Sequence, residues 1–246
     1  MNRPFLSLII PAHNEEARLP GTLTQVLDFA DQQAYDTEIL VVENGSQDRT
    51  RQIVLDFAAR TPRIHLLQNP ERGKGRAVRQ GMLAAQGEHR FMCDVDLSMS
   101  VNEINRFLPP TLQGYDIAIA SREAPGAIRY GEPNYRHVIG RIYNGLIRFL
   151  AIPGLQDTQC GFKCFRGDVA DDLFKRQTLT GWSFDVEILF IARLLGYKTI
   201  EIPINWYYNP HSKINVGRDS FKMGIDLLTI RLNALRGVYT RSDAKL

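Results

Sequence analysis

The sequence of 246 residues contains few cysteines and no long apolar run, and each shortage excludes a class of protein. Three cysteines, Cys93, Cys160 and Cys164, give no disulfide framework and suit a reducing compartment. No uninterrupted apolar run approaches the ~20 residues that a membrane-spanning helix needs, and the run before Pro11 is too short for a signal peptide. We therefore expect a cytoplasmic protein, either free in solution or peripheral on the cytoplasmic face of a membrane.

A strong net charge and the common nucleotide-binding motifs are also missing. The formal net charge of +3 is too small to indicate nucleic-acid binding, so no nucleic-acid partner is expected. No Gly-x-Gly-x-x-Gly motif follows the first predicted strand, and no Gly-Lys-Ser/Thr motif occurs. The chain is therefore neither a dinucleotide-dependent dehydrogenase nor a P-loop NTPase.

Strands and helices alternate through the first half of the chain. Short apolar runs predict strands at residues 5–10, 38–42, 64–67, 90–93 and 116–120, and the patterns between them predict helices at residues 15–30, 48–60, 75–86 and 101–108. This alternation indicates the α/β class, with a Rossmann-like, mostly parallel sheet flanked by helices. No repeat or linker is visible, so residues 1–246 are expected to form a single domain.

Polar and acidic residues cluster at the carboxyl ends of the predicted strands, which is where open α/β sheets bind ligands. Asp94 and Asp96 flank Val95 at the end of one such strand, and strand alternation would place both carboxylates on one side. Carboxylate pairs of this kind bind Mg²⁺ or Mn²⁺ and leave coordination positions open for phosphate oxygens. The remaining strand ends carry Pro11-Ala12-His13-Asn14-Glu15, Glu43-Asn44-Gly45-Ser46, Arg72-Gly73-Lys74-Gly75 and Ser121-Arg122.

These runs, in this order, resemble family 2 glycosyltransferases of the GT-A fold. Three downstream runs narrow the resemblance to the dolichyl-phosphate glucose and mannose synthases, closest to the glucosyl branch: residues 157–163, 184–187 and 203–206. The similarity extends from about Phe5 to about Tyr239. It implies a nucleotide-sugar donor, a polyprenyl-phosphate acceptor and inversion at the anomeric carbon. It also implies a nucleotide-binding half to about residue 120 and an acceptor half over about residues 121–246.

The resemblance assigns residues on the donor side of the site. Asp96 is expected to coordinate the metal directly, with Asp94 contacting ribose or a metal-bound water and Ser98 assisting. Glu43 would accept hydrogen bonds from the base or ribose, but Glu43-Asn44 stands where the family usually has Asp-Asp, which leaves the nucleotide preference open. The nucleoside pocket and the diphosphate site would be completed by Pro11, Ala12, Asn14 and Glu15, and by Arg72 and Lys74.

The acceptor side of the site is expected to contain cationic side chains and not to need a general base. A phosphate monoester, with a second pKa of about 6, is already largely anionic at neutral pH, so it needs cations to hold it more than a general base. Asp157 is accordingly interpreted as a structural or donor-sugar contact, with a base role left open. The resemblance assigns the acceptor phosphate to Arg122, Arg136, Ser212 and Lys213, and the catalytic set that it implies is Asp96, Arg122, Arg136 and Lys213.

Several alternatives remain open. A mannosyltransferase that uses GDP-mannose fits the same motifs as a glucosyltransferase that uses UDP-glucose. An Asp-nucleophile phosphatase is disfavoured because its acid pair normally follows the first strand, and a silent nucleotide-sugar-binding protein is disfavoured by the intact acid pair and basic loops. Residues 135–152 and 221–239 form basic amphipathic patterns, typical either of a helix that packs on a core or of one that lies on a membrane surface.

Overall fold

A seven-stranded sheet forms the centre of the computed structural model, which describes residues 3–209 and 216–240. In spatial order its strands are β3, β2, β1, β4, β7, β5 and β8, and β7 alone among them runs antiparallel to its neighbours. This confirms the predicted mostly parallel sheet. The strand bounds are β1 Leu6–Ala12, β2 Thr37–Asn44, β3 Ile64–Asn69, β4 His89–Cys93, β5 Ile117–Ser121, β7 Phe162–Arg166 and β8 Thr199–Pro203. Strands β6, Ile128–Tyr130, and β9, Asn205–Tyr207, form a separate parallel ribbon.

Helices connect the strands and cover both faces of the sheet. The first begins at Leu19, later than predicted, with Pro20 in its opening turn, a position where proline's missing N–H costs nothing. The predicted helix over residues 101–108 is a 3-10 helix, Val101–Phe107. The α-helices are α1 Leu19–Asp31, α2 Thr50–Ala58, α3 Lys74–Ala84, α4 Asn134–Leu150, α5 Gly167–Arg176, α6 Phe184–Leu194 and α7 Val216–Leu235. Among these described helices, none is long and apolar enough to cross a membrane.

Two apolar cores lie on opposite faces of the sheet. Along β1, Ile9 packs into one core while Leu8 and Ile10 pack into the other, and all three are fully buried. Because both faces of these strands are covered, their sequences read as continuous apolar runs. Polar groups are thereby confined to the strand ends, and this confinement concentrates chemistry at the edges of the sheet.

The strand order reverses at β1, and in open α/β sheets such a reversal marks a ligand-binding crevice at the carboxyl edge. The chain progresses outward from β1 to β2 and β3, and then returns to place β4 on the other side of β1. Such a reversal separates the loops that follow the two central strands, which here are the loops after Ala12 and after Cys93. The crevice therefore lies between the predicted nucleoside-binding residues and the predicted acid pair.

Candidate active site

The acid pair lies in a turn directly after β4. The strand ends at Cys93, and the backbone N–H of Leu97 donates to the carbonyl oxygen of Asp94 at 3.3 Å. The expectation that strand alternation aligns the two carboxylates is therefore wrong, because neither acid belongs to the strand. The turn nevertheless brings them together: burial raises the pKa of Asp96, and the negative charge of Asp94 raises this pKa further.

Asp94 is held on two sides. The ammonium of Lys74 lies 2.7 Å from Oδ1 and 2.9 Å from Oδ2 of Asp94. Burial by itself lowers the pKa of Lys74, but the charges of Asp94 and Asp185 raise it above its ordinary value, so the lysine is cationic. On another side, the backbone of Gly161 approaches so closely that a Cβ atom there would lie 1.8 Å from Oδ2 of Asp94.

Substituting Gly161 with alanine is expected to lower catalytic activity by about 100-fold, because the added methyl group must displace the Asp94 carboxylate by more than an ångström. The fold should persist, since the shift is confined to one side chain and its turn. Gly21→Ala is the matched control, because a Cβ at this position in α1 meets no atom within 4 Å. Steady-state kinetics and thermal unfolding of both variants check the prediction, which fails if Gly161→Ala retains wild-type activity.

Asp96 is the more available carboxylate of the pair. Its Oδ1 accepts a hydrogen bond from the Ser98 backbone N–H at 3.1 Å, whereas both oxygens of Asp94 lie against Lys74. Within the described part of the chain, no group of three or more His, Cys, Asp or Glu residues is arranged to hold a metal. Mg²⁺ and Mn²⁺ sites often use only one or two carboxylates and complete their coordination with water and phosphate oxygens. The crowded acid pair fits a cation of this kind.

The loops after β1 and β2 are cross-linked into a polar rim. The Asn14 N–H donates to Ser46 Oγ at 3.0 Å, and the Gln47 N–H donates to Asn14 Oδ1 at 2.8 Å. One carboxylate oxygen of the buried Glu43 accepts from the Ser46 N–H, which closes its own turn. Asn44 is 4% exposed, and its Oδ1 has no hydrogen-bond partner among the described residues. A buried acceptor without a partner is costly, so this rim favours a ligand that brings a donor.

Other predicted donor-side residues lie on the same edge. Pro11 and Ala12 close β1, and Glu15 forms an ion pair with Arg18 at 2.7 Å while its N–H donates to Thr50 Oγ1 at 2.7 Å. Arg72 is exposed at the start of residues 72–75, which join the loop after β3 to the first turn of α3 and which we call the basic loop. The structure thus places every predicted donor-side residue around the crevice.

The two glycines of the basic loop pack against protein. A Cβ at Gly73 would lie 2.6 Å from the carbonyl oxygen of Thr180, and one at Gly75 would lie 2.9 Å from that of Gly181. The sequence interpretation, that these glycines let the backbone approach a diphosphate, is therefore incomplete, because residues 179–181 already require them. Between the two glycines, Lys74 reaches Asp94 and lies over the Trp182 ring, 5.4 Å from its centroid.

Arg122 pairs with Asp157 at the end of β5. Its Nε and Nη2 donate to the two carboxylate oxygens at 2.6 and 2.9 Å, and its backbone N–H adds a third bond at 3.0 Å. Asp157 is fully buried, and burial alone would raise its pKa, but the Arg122 charge and hydrogen bonds outweigh burial and lower the pKa to about 2. A carboxylate this acidic is a poor proton acceptor, so the geometry favours the structural interpretation of Asp157 over a general base. Trp206 lies beneath Arg122, with its centroid 5.4 Å from the guanidinium carbon.

The remaining acceptor-side predictions fall largely outside the described structure. Arg136 lies on α4, but its side chain is not among those described. Ser212 and Lys213 belong to residues 210–215, which are outside the described residues. Their assignment to an acceptor phosphate stays a prediction.

Sequence reasoning missed several residues that shape the site. Lys163 and Asp185 form a buried ion pair behind the acid pair, Trp182 lies against Lys74, and Glu187 is fully buried. The signal for three of them was present, since Lys163, Asp185 and Glu187 lie in runs that carried the family resemblance. Their partners were not visible, because each contact joins segments that are distant along the chain.

Known proteins resemble this chain over most of its length. The model of the family described as Glycosyl transferase family 2 matches residues 7–174. A dolichyl-phosphate beta-glucosyltransferase of Trichomonas vaginalis is 34% identical over 255 aligned residues, which cover 98% of this chain and 77% of that protein. The dolichyl-phosphate beta-glucosyltransferase of Homo sapiens is 32% identical, over 95% of this chain and 77% of its own length.

Solved structures share the architecture. Mannosyl-3-phosphoglycerate synthase from Rubrobacter xylanophilus superposes with a TM-score of 0.70 at 16% identity, over 99% of this chain and 77% of that chain. Glucosyl-3-phosphoglycerate synthase from Mycobacterium tuberculosis, crystallised with Mn²⁺, UDP-glucose and glycerol 3-phosphate, has a TM-score of 0.62 at 16% identity, over 94% of this chain and 79% of that chain. At this identity the likeness shows the fold alone, and it confirms the predicted GT-A fold.

Proposed function

Since this chain belongs to glycosyl transferase family 2, we propose that it transfers glucose from UDP-glucose to a polyprenyl or dolichyl phosphate with inversion at the anomeric carbon. The observation that carries the proposal is the likeness to dolichyl-phosphate beta-glucosyltransferases, at 30–34% identity over 95–98% of this chain. The carboxyl-edge crevice supports it by joining an acid pair, a basic loop and a polar rim. The first half of the chain, to about residue 120, would bind the donor, and the rest would bind the acceptor.

A divalent cation, Mg²⁺ or Mn²⁺, is the proposed cofactor. Asp96 would be its direct ligand, and Asp94 and Ser98 would support it. When bound, the cation neutralises charge on the departing nucleoside diphosphate. The support from this chain is the raised pKa of Asp96, which burial and the Asp94 charge produce together and which an added positive charge would relieve.

The donor is proposed to lie along the rim and the basic loop. Glu43 and the unpaired oxygen of Asn44 offer acceptors to a base or ribose, and Pro11, Ala12, Asn14 and Glu15 line the same pocket. Lys74 and Arg72 would face the diphosphate. Lys74 is already fixed by Asp94 and Trp182, so its ammonium is positioned before a ligand arrives.

The acceptor phosphate is proposed to be the nucleophile. One of its oxygens attacks the anomeric carbon as the bond to the diphosphate breaks, and no proton needs to be removed because the monoester is already anionic at neutral pH. Arg122, Arg136, Ser212 and Lys213 would hold this phosphate. Asp157 supports the scheme by fixing the plane of the Arg122 guanidinium through two hydrogen bonds, while Nη1 makes none within the described structure.

A donor panel tests the proposal. The protein is incubated with UDP-glucose or GDP-mannose, Mn²⁺ or Mg²⁺, and a short polyprenyl phosphate, and the glycolipid product is identified by mass. Product from UDP-glucose alone is the expected result, and product from GDP-mannose alone would assign the mannosyltransferase alternative. A parallel incubation offers a free sugar as the acceptor. Transfer only to the sugar hydroxyl, or no transfer at all, would overturn the lipid-phosphate assignment.

Helix α7 is proposed to bind the membrane in which a polyprenyl-phosphate acceptor would lie. It buries Met223, Leu227 and Ile230, as a core-packing helix should. It also exposes a second row of apolar side chains, here called the apolar stripe: Ile225 (50% exposed), Leu228 (57%), Leu232 (49%) and Leu235 (85%). The exposed basic residues Lys222, Arg231 and Arg236 flank the stripe. Apolar side chains flanked by cations can bind an anionic membrane, through apolar contact and through attraction to the lipid headgroups.

The three cysteines are free thiols, which suit a reducing compartment. Together with the apolar stripe, they favour a peripheral location on the cytoplasmic face of a membrane.

Replacing Leu228 and Leu232 together with serine is expected to weaken binding to anionic phospholipid vesicles by about 10-fold, because two leucines lose the apolar contact that burial in the headgroup layer gives them. Leu55→Ser on α2, where leucine is 40% exposed, is the control. Co-sedimentation measures the effect. If the double variant binds vesicles as well as the wild type, the stripe does not bind membranes. If the wild type is a dimer and the double variant is a monomer, the stripe is a dimer interface instead.

A further inference from the structure

Glu187 is a fully buried carboxylate in the first turn of α6 that serves neither the acid pair nor the predicted acceptor residues. Its oxygens accept hydrogen bonds from the Thr178 N–H at 3.0 Å and the Leu179 N–H at 2.8 Å. They also accept from the Thr178 hydroxyl, and from the Tyr239 hydroxyl at 2.8 Å. The helix dipole favours acids in the first turn of a helix, but it requires neither burial nor further hydrogen bonds. Glu187 accepts from four donors in two separate segments, residues 178–179 and Tyr239.

The segment that Glu187 holds is the one that supports the basic loop. The Gln177 side chain donates to the Gly75 carbonyl oxygen at 2.9 Å, and the Arg76 N–H donates to the Thr180 carbonyl oxygen at 3.3 Å. Residues 179–181 press so closely on the basic loop that a Cβ at Gly73 has no room. Trp182, beneath the Lys74 ammonium, follows directly. The position of Lys74 thus depends on residues 178–182, and these are fixed by Glu187.

The second segment is the C-terminal end of the described chain. Tyr239 follows α7, is fully buried, and donates its hydroxyl hydrogen to Glu187. Asn233 of α7 adds a bond from its side-chain amide to Thr178 Oγ1 at 3.1 Å. The Glu187 carboxylate therefore joins the end of α7, which carries the apolar stripe, to residues 178–182. We call these residues the wall of the donor crevice.

We infer that Glu187 is a positioning residue for the donor: it fixes residues 178–182, and through them the basic loop and Lys74, and it ties this assembly to the end of α7. The inference rests on the proposed function for the identity of the donor. The chemistry requires an acceptor at both oxygen positions, because each oxygen faces a backbone N–H, which can only donate: that of Thr178 at 3.1 Å and that of Leu179 at 2.8 Å. A glutamine keeps the shape but turns an NH₂ group toward at least one donor, so the wall and the basic loop should loosen.

The experiment compares Glu187→Gln with Asp171→Asn. Asp171 forms an ion pair with the buried Arg90 at 2.6 Å, away from the crevice, so its loss also destabilises the protein without touching the wall. Hydrogen exchange is measured on the amides of residues 73–76 and 178–181, and binding of UDP with Mn²⁺ is measured by calorimetry. We expect Glu187→Gln to speed exchange at both segments by about 10-fold or more and to weaken UDP binding by about 10-fold, since a lost charged hydrogen bond is worth about one decade.

The controls separate positioning from general loss of stability. Asp171→Asn should lower the unfolding midpoint while leaving exchange at both segments and UDP affinity at wild-type values. Tyr239→Phe, which removes the Tyr239 hydrogen bond to Glu187 but leaves the Asn233 bond to Thr178, should speed exchange at residues 178–181 by a smaller factor. Wild-type exchange and UDP affinity in Glu187→Gln would overturn the inference, as would an equal loss of UDP affinity in Asp171→Asn. A wild-type protein that binds GDP but not UDP would instead correct the proposed donor, and the same comparison with GDP would then decide the role of Glu187. A wild type that binds neither nucleotide overturns both.

Discussion

Replacing Asp96 with alanine is expected to lower metal-dependent glycosyl transfer by about 10³-fold or more, because the charge stabilisation that a metal supplies amounts to several kcal/mol and each 1.4 kcal/mol is about tenfold in rate. Asp94 is a poor substitute, since the Lys74 ammonium lies against both of its oxygens and would repel a cation bound there. The fold should be retained, because within the described structure the Asp96 side chain is hydrogen-bonded only inside its own turn, to Ser98. Initial rates with UDP-glucose and a short polyprenyl phosphate, measured over a range of Mn²⁺ and Mg²⁺ concentrations, check the prediction.

Asp28→Ala provides the matched control, because Asp28 is an exposed acid on α1 whose loss should leave the rate unchanged. Thermal unfolding of both variants establishes that any loss of rate in Asp96→Ala is chemical. Full activity of Asp96→Ala at ordinary metal concentrations would remove this residue from the metal site.

Arg122→Met is expected to destabilise the protein by about 3–5 kcal/mol, because it leaves the fully buried Asp157 carboxylate without its counter-charge. Adding Asp157→Leu to the same chain should recover part of this loss, since an apolar pair has no charge to desolvate. Urea unfolding at neutral pH measures both variants. Equal stability of wild type and Arg122→Met would mean that the pair contributes nothing to the fold.

The ion pair between Arg122 and Asp157 should make the stability of the protein fall as the pH is lowered. The pKa of Asp157 is lowered from 3.8 to about 2 on folding, so its contribution to stability, roughly 2 kcal/mol, is complete above about pH 4 and is lost as the pH falls toward 2. In Arg122→Met this loss on acidification should disappear, because protonation of Asp157 then relieves an unpaired charge. Urea unfolding at pH 7 and pH 3 separates the two behaviours.

The parts of the molecule that follow from local patterning were predicted from the sequence. The alternation of strands and helices, the mostly parallel sheet and the collection of polar groups at one edge are all confirmed, because burial of both sheet faces leaves few other places for polar residues. The donor-side residues from Pro11 to Asp96 lie around one crevice for the same reason. Their roles there remain predictions.

The parts that depend on distant contacts were not predicted. Nothing in the run around Lys74 indicates that its ammonium is bound to Asp94, and nothing around Arg122 indicates a pair with Asp157. The glycine at 161 is required by a carboxylate 67 positions earlier, and those at 73 and 75 by a backbone segment about one hundred positions later. Even the alignment of the acid pair was attributed to a strand when a turn produces it. Contacts of this kind arise from the packing of whole elements, which a periodic pattern does not specify.

Strand β7 has a consequence for how the crevice opens and closes. This strand comes from the second half of the chain, yet it is inserted between β4 and β5, both from the first, and is hydrogen-bonded to each. A hinge motion that swung the two halves apart would have to break both ladders in the middle of the sheet. Substrate entry and product release would therefore depend on the loops at the carboxyl edge and not on a hinge between the two halves of the chain.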